Sequence, residues 1–125
     1  MAVKIVDASA LVALLFGEPE ADAIAARLQR ASLAAAALLG FEIAGACLKK
    51  LRRNPEQHDE LLAALAMFGR RSIEIVEVDH ADTVRLAETF GLTSYDAAYL
   101  WVAQLLSGEL VALDTRLQSA ATARR

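Results

Sequence analysis

The sequence predicts an α/β domain, a parallel sheet with helices on both faces. Two observations predict it. Short strand-like runs alternate with longer helical runs along the 125 residues, and parallel strands need the helical crossovers that this alternation supplies. Acids also stand where such folds collect ligands: Asp7 follows the first strand and Asp114 the last, so both fall at the carboxyl edge of the sheet. A chain of this length forms one domain, here expected over 1–125, with about four to five short strands and a loose tail at the last few residues.

Each element has its own reason. "VKIV", residues 3 to 6, is a first strand, and residues 8 to 16 continue as an apolar helix ending near Gly17. Glu18-Pro19 opens a second helix, in which Ala21, Ile24, Ala25 and Leu28 keep the helical period. A weak strand at 32 to 35 precedes a helix from about 37 to 53, and Pro55 ends that helix and opens the next. Leu61, Leu62, Leu65 and Phe68 line one face there. "SIEIVEVD", residues 72 to 79, alternates as a strand exposed on one side. Residues 80 to 90 form a helix closed by Gly91, and 94 to 107 a nearly all-apolar helix closed by Gly108. "LVAL" is the last strand, and a short helix begins near Asp114.

Composition narrows the function. The apolar fraction of 56% comes without any run of the ~18 apolar residues that would cross a bilayer, and Asp7 stands where a signal peptide would have its apolar centre. A soluble, cytoplasmic protein with no membrane partner is expected. Cys47 is the single cysteine, which excludes an internal disulfide and multi-cysteine zinc sites and suits a core position. The formal charge of −3 gives no global attraction to polyanions. A polyanionic partner must be held by local patches or metal ions.

Four acids gather on this topology. Asp7 and Asp114 follow strands; Asp96 lies in the first turn of a helix that Thr93 can cap; Glu42 lies in the first turn or two of the helix after the weak strand. Capping and the helix macrodipole account for any one aspartate about as well as ligation does. Glu42 fits that explanation least, because its apolar neighbours imply burial and no basic residue lies within a helical turn of it. Two carboxylates ~5 Å apart repel by about 3 kcal/mol at an effective dielectric near 20. A divalent ion removes that repulsion, and an all-oxygen set suits Mg²⁺ or Mn²⁺ rather than zinc. No G-x-G-x-x-G, P-loop, H-E-x-x-H or G-x-S-x-G motif is present, and His58 and His80 read as surface residues at helix starts. Carboxylates holding a hydrated ion fit phosphodiester hydrolysis by metal-activated water.

"VDASALVALLFGE", "FEIAGA", "LTSYDAAYLWVA" and "LVALDTRL" together resemble the PIN-domain ribonucleases, most closely the VapC-type toxins of toxin-antitoxin pairs. The resemblance covers the chain in order. It implies a PIN-like α/β/α sandwich, Mg²⁺- or Mn²⁺-dependent cleavage of RNA, and dimerisation within a larger toxin-antitoxin assembly. It also implies neutralisation by a VapB-type antitoxin whose tail enters the active site. Asp7, Glu42, Asp96 and Asp114 match the family's acidic quartet, and Ser9 matches a small polar residue that supports it. Where members often carry Thr or Ser two residues before the last acid, this chain has Ala112, with Thr115 as the nearby hydroxyl.

The substrate contacts expected are Arg116, two residues after Asp114, and Lys49 and Lys50 in the basic run "KKLRR". That run serves equally as a solvated helix end. Tyr95 either stacks on a base or packs under the first strand, Trp101 is core, and Leu14, Leu15, Phe16, Ile24, Leu28, Leu61 and Leu65 form either core or a partner face. Two other functions fit less of the chain. Loss of a quartet acid would have favoured a non-catalytic PIN-like binding module, and none is lost, while a receiver-like phosphoacceptor normally shows paired acids after the first strand and a lysine after a late one, whereas Lys4 lies inside the first strand.

Overall fold

The computed structural model describes residues 2–123. Its elements in chain order are β1 (Val3–Val6), α1 (Ala8–Leu15), α2 (Ala21–Leu28), β2 (Ser32–Ala36), α3 (Leu39–Arg53), a 3-10 turn (Pro55–Gln57), α4 (His58–Phe68), β3 (Ile73–Val76), α5 (His80–Phe90), α6 (Ser94–Leu106), β4 (Glu109–Val111) and α7 (Thr115–Ala123). The four strands are all parallel, in the order β3-β2-β1-β4. Val3 pairs with Ser32 and Val6 with Val111 across the centre of the sheet. From β1 the chain moves to β2 and β3 on one side, then returns to place β4 on the other. The switch point of this doubly wound sheet therefore lies between β1 and β4.

Successive residues of a strand face opposite sides of a sheet. Ile5 and Val6 are both 0% exposed, so helices cover β1 on both faces. Ala34, Ala35 and Ala36 are likewise buried. Small side chains in this second central strand explain why it read as weak, since it gains from its neighbours' packing rather than from β-branched side chains. The helix α6 packs across β1, β2 and β4 and contributes Ala97, Ala98, Tyr99, Leu100, Val102 and Ala103 to the core. Opposite it, α1 packs against α2, α3 and α4.

Several boundaries differ from expectation. The helix α2 begins at Ala21, because residues 18–20 form a turn in which Ala21 N–H donates to Glu18 O at 2.9 Å. Both outer strands are shorter than predicted: β3 ends at Val76 and β4 at Val111. Gly91 closes α5 in the left-handed conformation as expected, at φ 65°. The left-handed residue after α6 is Ser107, at φ 51°, and not Gly108. Gly108 is needed for space: a Cβ there would run into the Ile5 side chain and lie 2.9 Å from Val3 O.

Apolar surface also falls elsewhere than expected. Ile24 and Leu28 are core, Leu14, Leu65 and Phe68 pack against it, and Leu61 is half-buried, but Leu62 turns outward. Phe41, at 89% exposure, leads a set of exposed apolar side chains on α3 and α4 that includes Leu48, Leu62 and Met67. Cys47 is buried, as expected of a lone thiol. The helix α7 runs to Ala123, and the last two positions of the expected tail, 124 and 125, lie outside the described residues.

Candidate acidic site at the carboxyl edge of the sheet

Asp7 is the innermost acid, 3% exposed at the junction of β1 and α1. It caps α1: Ala10 N–H donates to Oδ1 at 3.0 Å, and Ser9 Oγ donates across both carboxylate oxygens at 2.8 and 2.9 Å. Burial drives its carboxyl up to about 6, against the pull of those hydrogen bonds, and the nearby Asp96 charge adds to the rise. Capping and the cluster role coexist in one side chain. Ser9 Oγ also accepts from Leu113 N–H at 3.0 Å, which ties the start of α1 to the segment after β4.

Asp96 stands at the centre of the set. Thr93 Oγ1 accepts from its N–H at 3.1 Å, so the expected cap forms and fixes the first turn of α6. Burial raises the Asp96 carboxyl, and the Asp114 charge raises it further, while Thr93 and the Arg116 guanidinium hold it down. Its charge in turn reaches Asp7 and Glu42. Asp114 is exposed and caps α7, accepting from Leu117 N–H at 2.9 Å.

Glu42 has the partner that its surroundings required. Tyr99 Oη donates to Glu42 Oε1 at 2.6 Å, from a phenol that is itself buried in α6. Burial raises the Glu42 carboxyl despite this bond, and the Asp96 charge adds to the rise. Tyr99 in turn is pushed up, first by burial and then by Glu42. Sequence reasoning placed Tyr99 in the apolar helix without a role. The available signal was its position, one helical turn beyond Asp96, and the rule that a buried phenol finds a polar partner. A second unforeseen residue is Gln118, which accepts from Ala112 N–H at 3.1 Å and donates to Leu110 O at 3.0 Å. It closes the end of β4, where the expected hydroxyl at position 112 is missing. Thr115 is exposed at the start of α7.

The four carboxylates are thus mutually felt through Asp96, yet among the described residues no three acid, His or Cys side chains are gathered closely enough to enclose a metal ion. Buried carboxylates repel, and only a cation draws them into a shell. A hydrated Mg²⁺ needs one or two carboxylates plus water, so this all-oxygen set fits such an ion without being closed around it.

The basic residues divide. Arg116 lies beside the acids, its Nη1 donating to Gly91 O at 3.5 Å and its charge reaching Asp96. Lys50 is engaged elsewhere, 2.7 Å from Glu18 and 5.4 Å above the Phe16 ring, and Lys49 is exposed beside it. Both are seven or eight residues along α3 from Glu42, about 10–12 Å of helical rise. Tyr95 is 62% exposed, so it does not pack under β1, and Trp101 packs at the edge of the core. Lys4 pairs with Glu109 at 3.3 Å and donates to Arg27 O, so this lysine of the first strand does not serve in place of the late-strand lysine of a receiver-like site.

Residues 4–123 match the family model of the PIN domain. The chain belongs to the PIN-domain family. It is 32% identical over 118 residues to Ribonuclease VapC3 of Pyrobaculum aerophilum, covering 90% of each chain. Its fold is similar to that of the crystal structure of PAE2754 from Pyrobaculum aerophilum, with a TM-score of 0.77, 28% identity, and coverage of 95% of this chain and 84% of that one. It is also similar to a chain of a toxin-antitoxin complex from Klebsiella pneumoniae, with a TM-score of 0.62, 23% identity, and coverage of 90% and 87%. This PIN domain keeps its four acids at the switch point between β1 and β4 and beside it.

Proposed function

We propose that this PIN domain is a divalent-metal-dependent endoribonuclease of the VapC toxin kind. The observation that carries the proposal is the trio Asp7, Glu42 and Asp96, each raised by burial and by a neighbouring acid's charge, at the end of a parallel sheet beside Asp114. The likeness to a relative called a ribonuclease supports the same reading. Asp7, Asp96, Glu42 and Asp114 would hold Mg²⁺ or Mn²⁺, which supplies a water of lowered pKa and a positive charge for the leaving oxygen.

The chain's own residues do the rest. Ser9 fixes the Asp7 carboxylate, Thr93 fixes the turn that carries Asp96, and Tyr99 orients Glu42. Arg116 grips the scissile phosphate, and its guanidinium opposes the rise of the Asp96 carboxyl. Thr115, exposed at the start of α7, would support Asp114 beside it, and Lys49 with the arginines of the basic run would steer the RNA. Hydrolysis adds water at phosphorus and breaks one bridging P–O bond, leaving a phosphate on one fragment and a hydroxyl on the other.

A VapB-type antitoxin neutralises the enzyme in the cytoplasm, and a homodimer forms the unit of the larger assembly. The fold shared with a chain of a toxin-antitoxin complex and the exposed Phe41, Leu48, Leu62 and Met67 support a partner of this kind. No helix among the described residues is long and apolar enough to cross a membrane.

The test is incubation of antitoxin-free protein with total RNA in Mn²⁺, Mg²⁺ or EDTA, beside Asp96→Asn, with cleaved ends mapped by sequencing. Discrete cuts that need both metal and Asp96 are expected. Cleavage by an identically purified Asp96→Asn at the wild-type rate would overturn the assignment, because the cutting would then not come from this site.

A further inference from the structure

A cleft of about 300 Å³ opens beside the acids, between α5, α6 and the residue that precedes α3. Leu38, Val78, Val84 and Ala98 give it apolar walls, Tyr95 stands on it, and His80 and Ser94 add polar edges. We propose that this cleft takes one unstacked nucleobase of the RNA, next to the phosphate that is cut. The proposal rests on the nuclease reading and names a binding subsite within it.

Placement is the first argument. Tyr95 and Asp96 are successive residues in the first turn of α6, so a group on the Tyr95 side is within a nucleotide's reach of the cluster. Leu38 precedes Glu42 by one turn of α3 and brings the far wall to the same edge. Surface chemistry is the second. Tyr95 is 62% and Val84 53% exposed, two large apolar side chains left in water on helices that otherwise pack together. Their exposure has no purpose in the core.

Charge is the third argument. No lysine or arginine lines the cleft, and the chain carries −3 overall, so long-range attraction to the RNA backbone is weak. Arg116 and the basic run lie outside the cleft, so affinity gained within it must come from contacts that do not depend on phosphate charge, and stacking of a base on an aromatic ring is the available one. The volume lies at the lower end of small-ligand pockets, which suits a single planar base rather than a length of peptide.

The test uses the strongest cut mapped in total RNA, copied into a short RNA oligonucleotide. Tyr95→Ala is expected to raise KM by roughly 5- to 150-fold, the range of base stacking on an aromatic side chain, with kcat little changed. Tyr95→Phe keeps the ring and should stay near wild type. An abasic ribose at one position flanking the cut should raise the wild-type KM by a similar factor, and should cost Tyr95→Ala nothing further. Because Tyr95 is exposed and alanine favours helix, the variant keeps its fold. An unchanged KM in Tyr95→Ala, or an abasic penalty of equal size in both proteins, overturns the subsite while leaving the nuclease reading intact. Loss of antitoxin binding with unchanged RNA kinetics would also overturn it, assigning the cleft to a protein partner. Failure of the wild-type protein to cut any RNA would remove the nuclease reading and the subsite together.

Discussion

Replacing Asp7 by Asn should make the metal-free protein more stable while silencing it. The carboxyl rises from 3.8 to about 6 because it is buried, so ionising it in the fold costs about 3 kcal/mol at neutral pH relative to the unfolded chain. Asparagine keeps the shape and caps α1 as well as aspartate does, accepting from Ala10 N–H, without carrying the charge. Below 3.8 both states of the wild type are protonated, and the variant gains nothing. As pH rises from about 4 to 6 the unfolded carboxyl ionises before the folded one, and wild-type stability falls by about 1.4 kcal/mol per pH unit. Above about 6 the full difference persists.

Urea or thermal unfolding in EDTA at pH 7 should therefore place Asp7→Asn up to about 3 kcal/mol above wild type, roughly 10 °C in Tm for a domain of this size. At pH 4 the curves should nearly coincide. Added Mg²⁺ should narrow the gap at pH 7 by stabilising the wild type alone, by about 2.7 kcal/mol at a hundred times its dissociation constant. A variant less stable than wild type at pH 7, or a margin independent of pH, would refute the argument that Asp7 is held at an electrostatic cost.

Tyr99→Phe removes the hydrogen bond that lowers the Glu42 carboxyl, so the acidic limb of the pH–rate profile should move to higher pH; an unchanged limb would show that Glu42 does not titrate in the reaction. Gly108→Ala should destabilise by about 1–3 kcal/mol in urea titration, since the added Cβ meets the Ile5 side chain and the fixed carbonyl of Val3. Arg116→Ala should raise KM for RNA and flatten its salt dependence, with kinetics at two ionic strengths as the check. Lys50→Ala should cost under about 1 kcal/mol, because its pair with Glu18 is part-exposed, as thermal melts would register.

The site was legible in the sequence where its logic is local. Asp7, Ser9 and the first turn of α1 lie within four residues, and Thr93 caps three residues before Asp96, so spacing alone places these groups. The four acids could be singled out for the same reason, each sitting in a short pattern of its own. The partners of those acids were not legible. Tyr99 is 57 residues from Glu42, and Leu113 is 104 from Ser9. Nor could the sequence separate Leu62 from Leu61 and Leu65, neighbours on one helix whose exposure depends on how α3 lies against α4.

What the sequence determined by itself was the alternation of strands and helices, the capping of α1 and α6, and the presence of acids at the strand ends. Each follows from backbone preferences and hydrogen bonds that span at most a helical turn. Only the tertiary structure decided that β1 lies between β2 and β4, that Asp96 is the acid through which the others are coupled, and that Lys50 turns to Glu18 rather than to the cluster. Those outcomes depend on which distant surfaces exclude water from one another. Burial, which raises the carboxyls and binds Tyr99 to Glu42, is a property of the assembled layers and of no single segment.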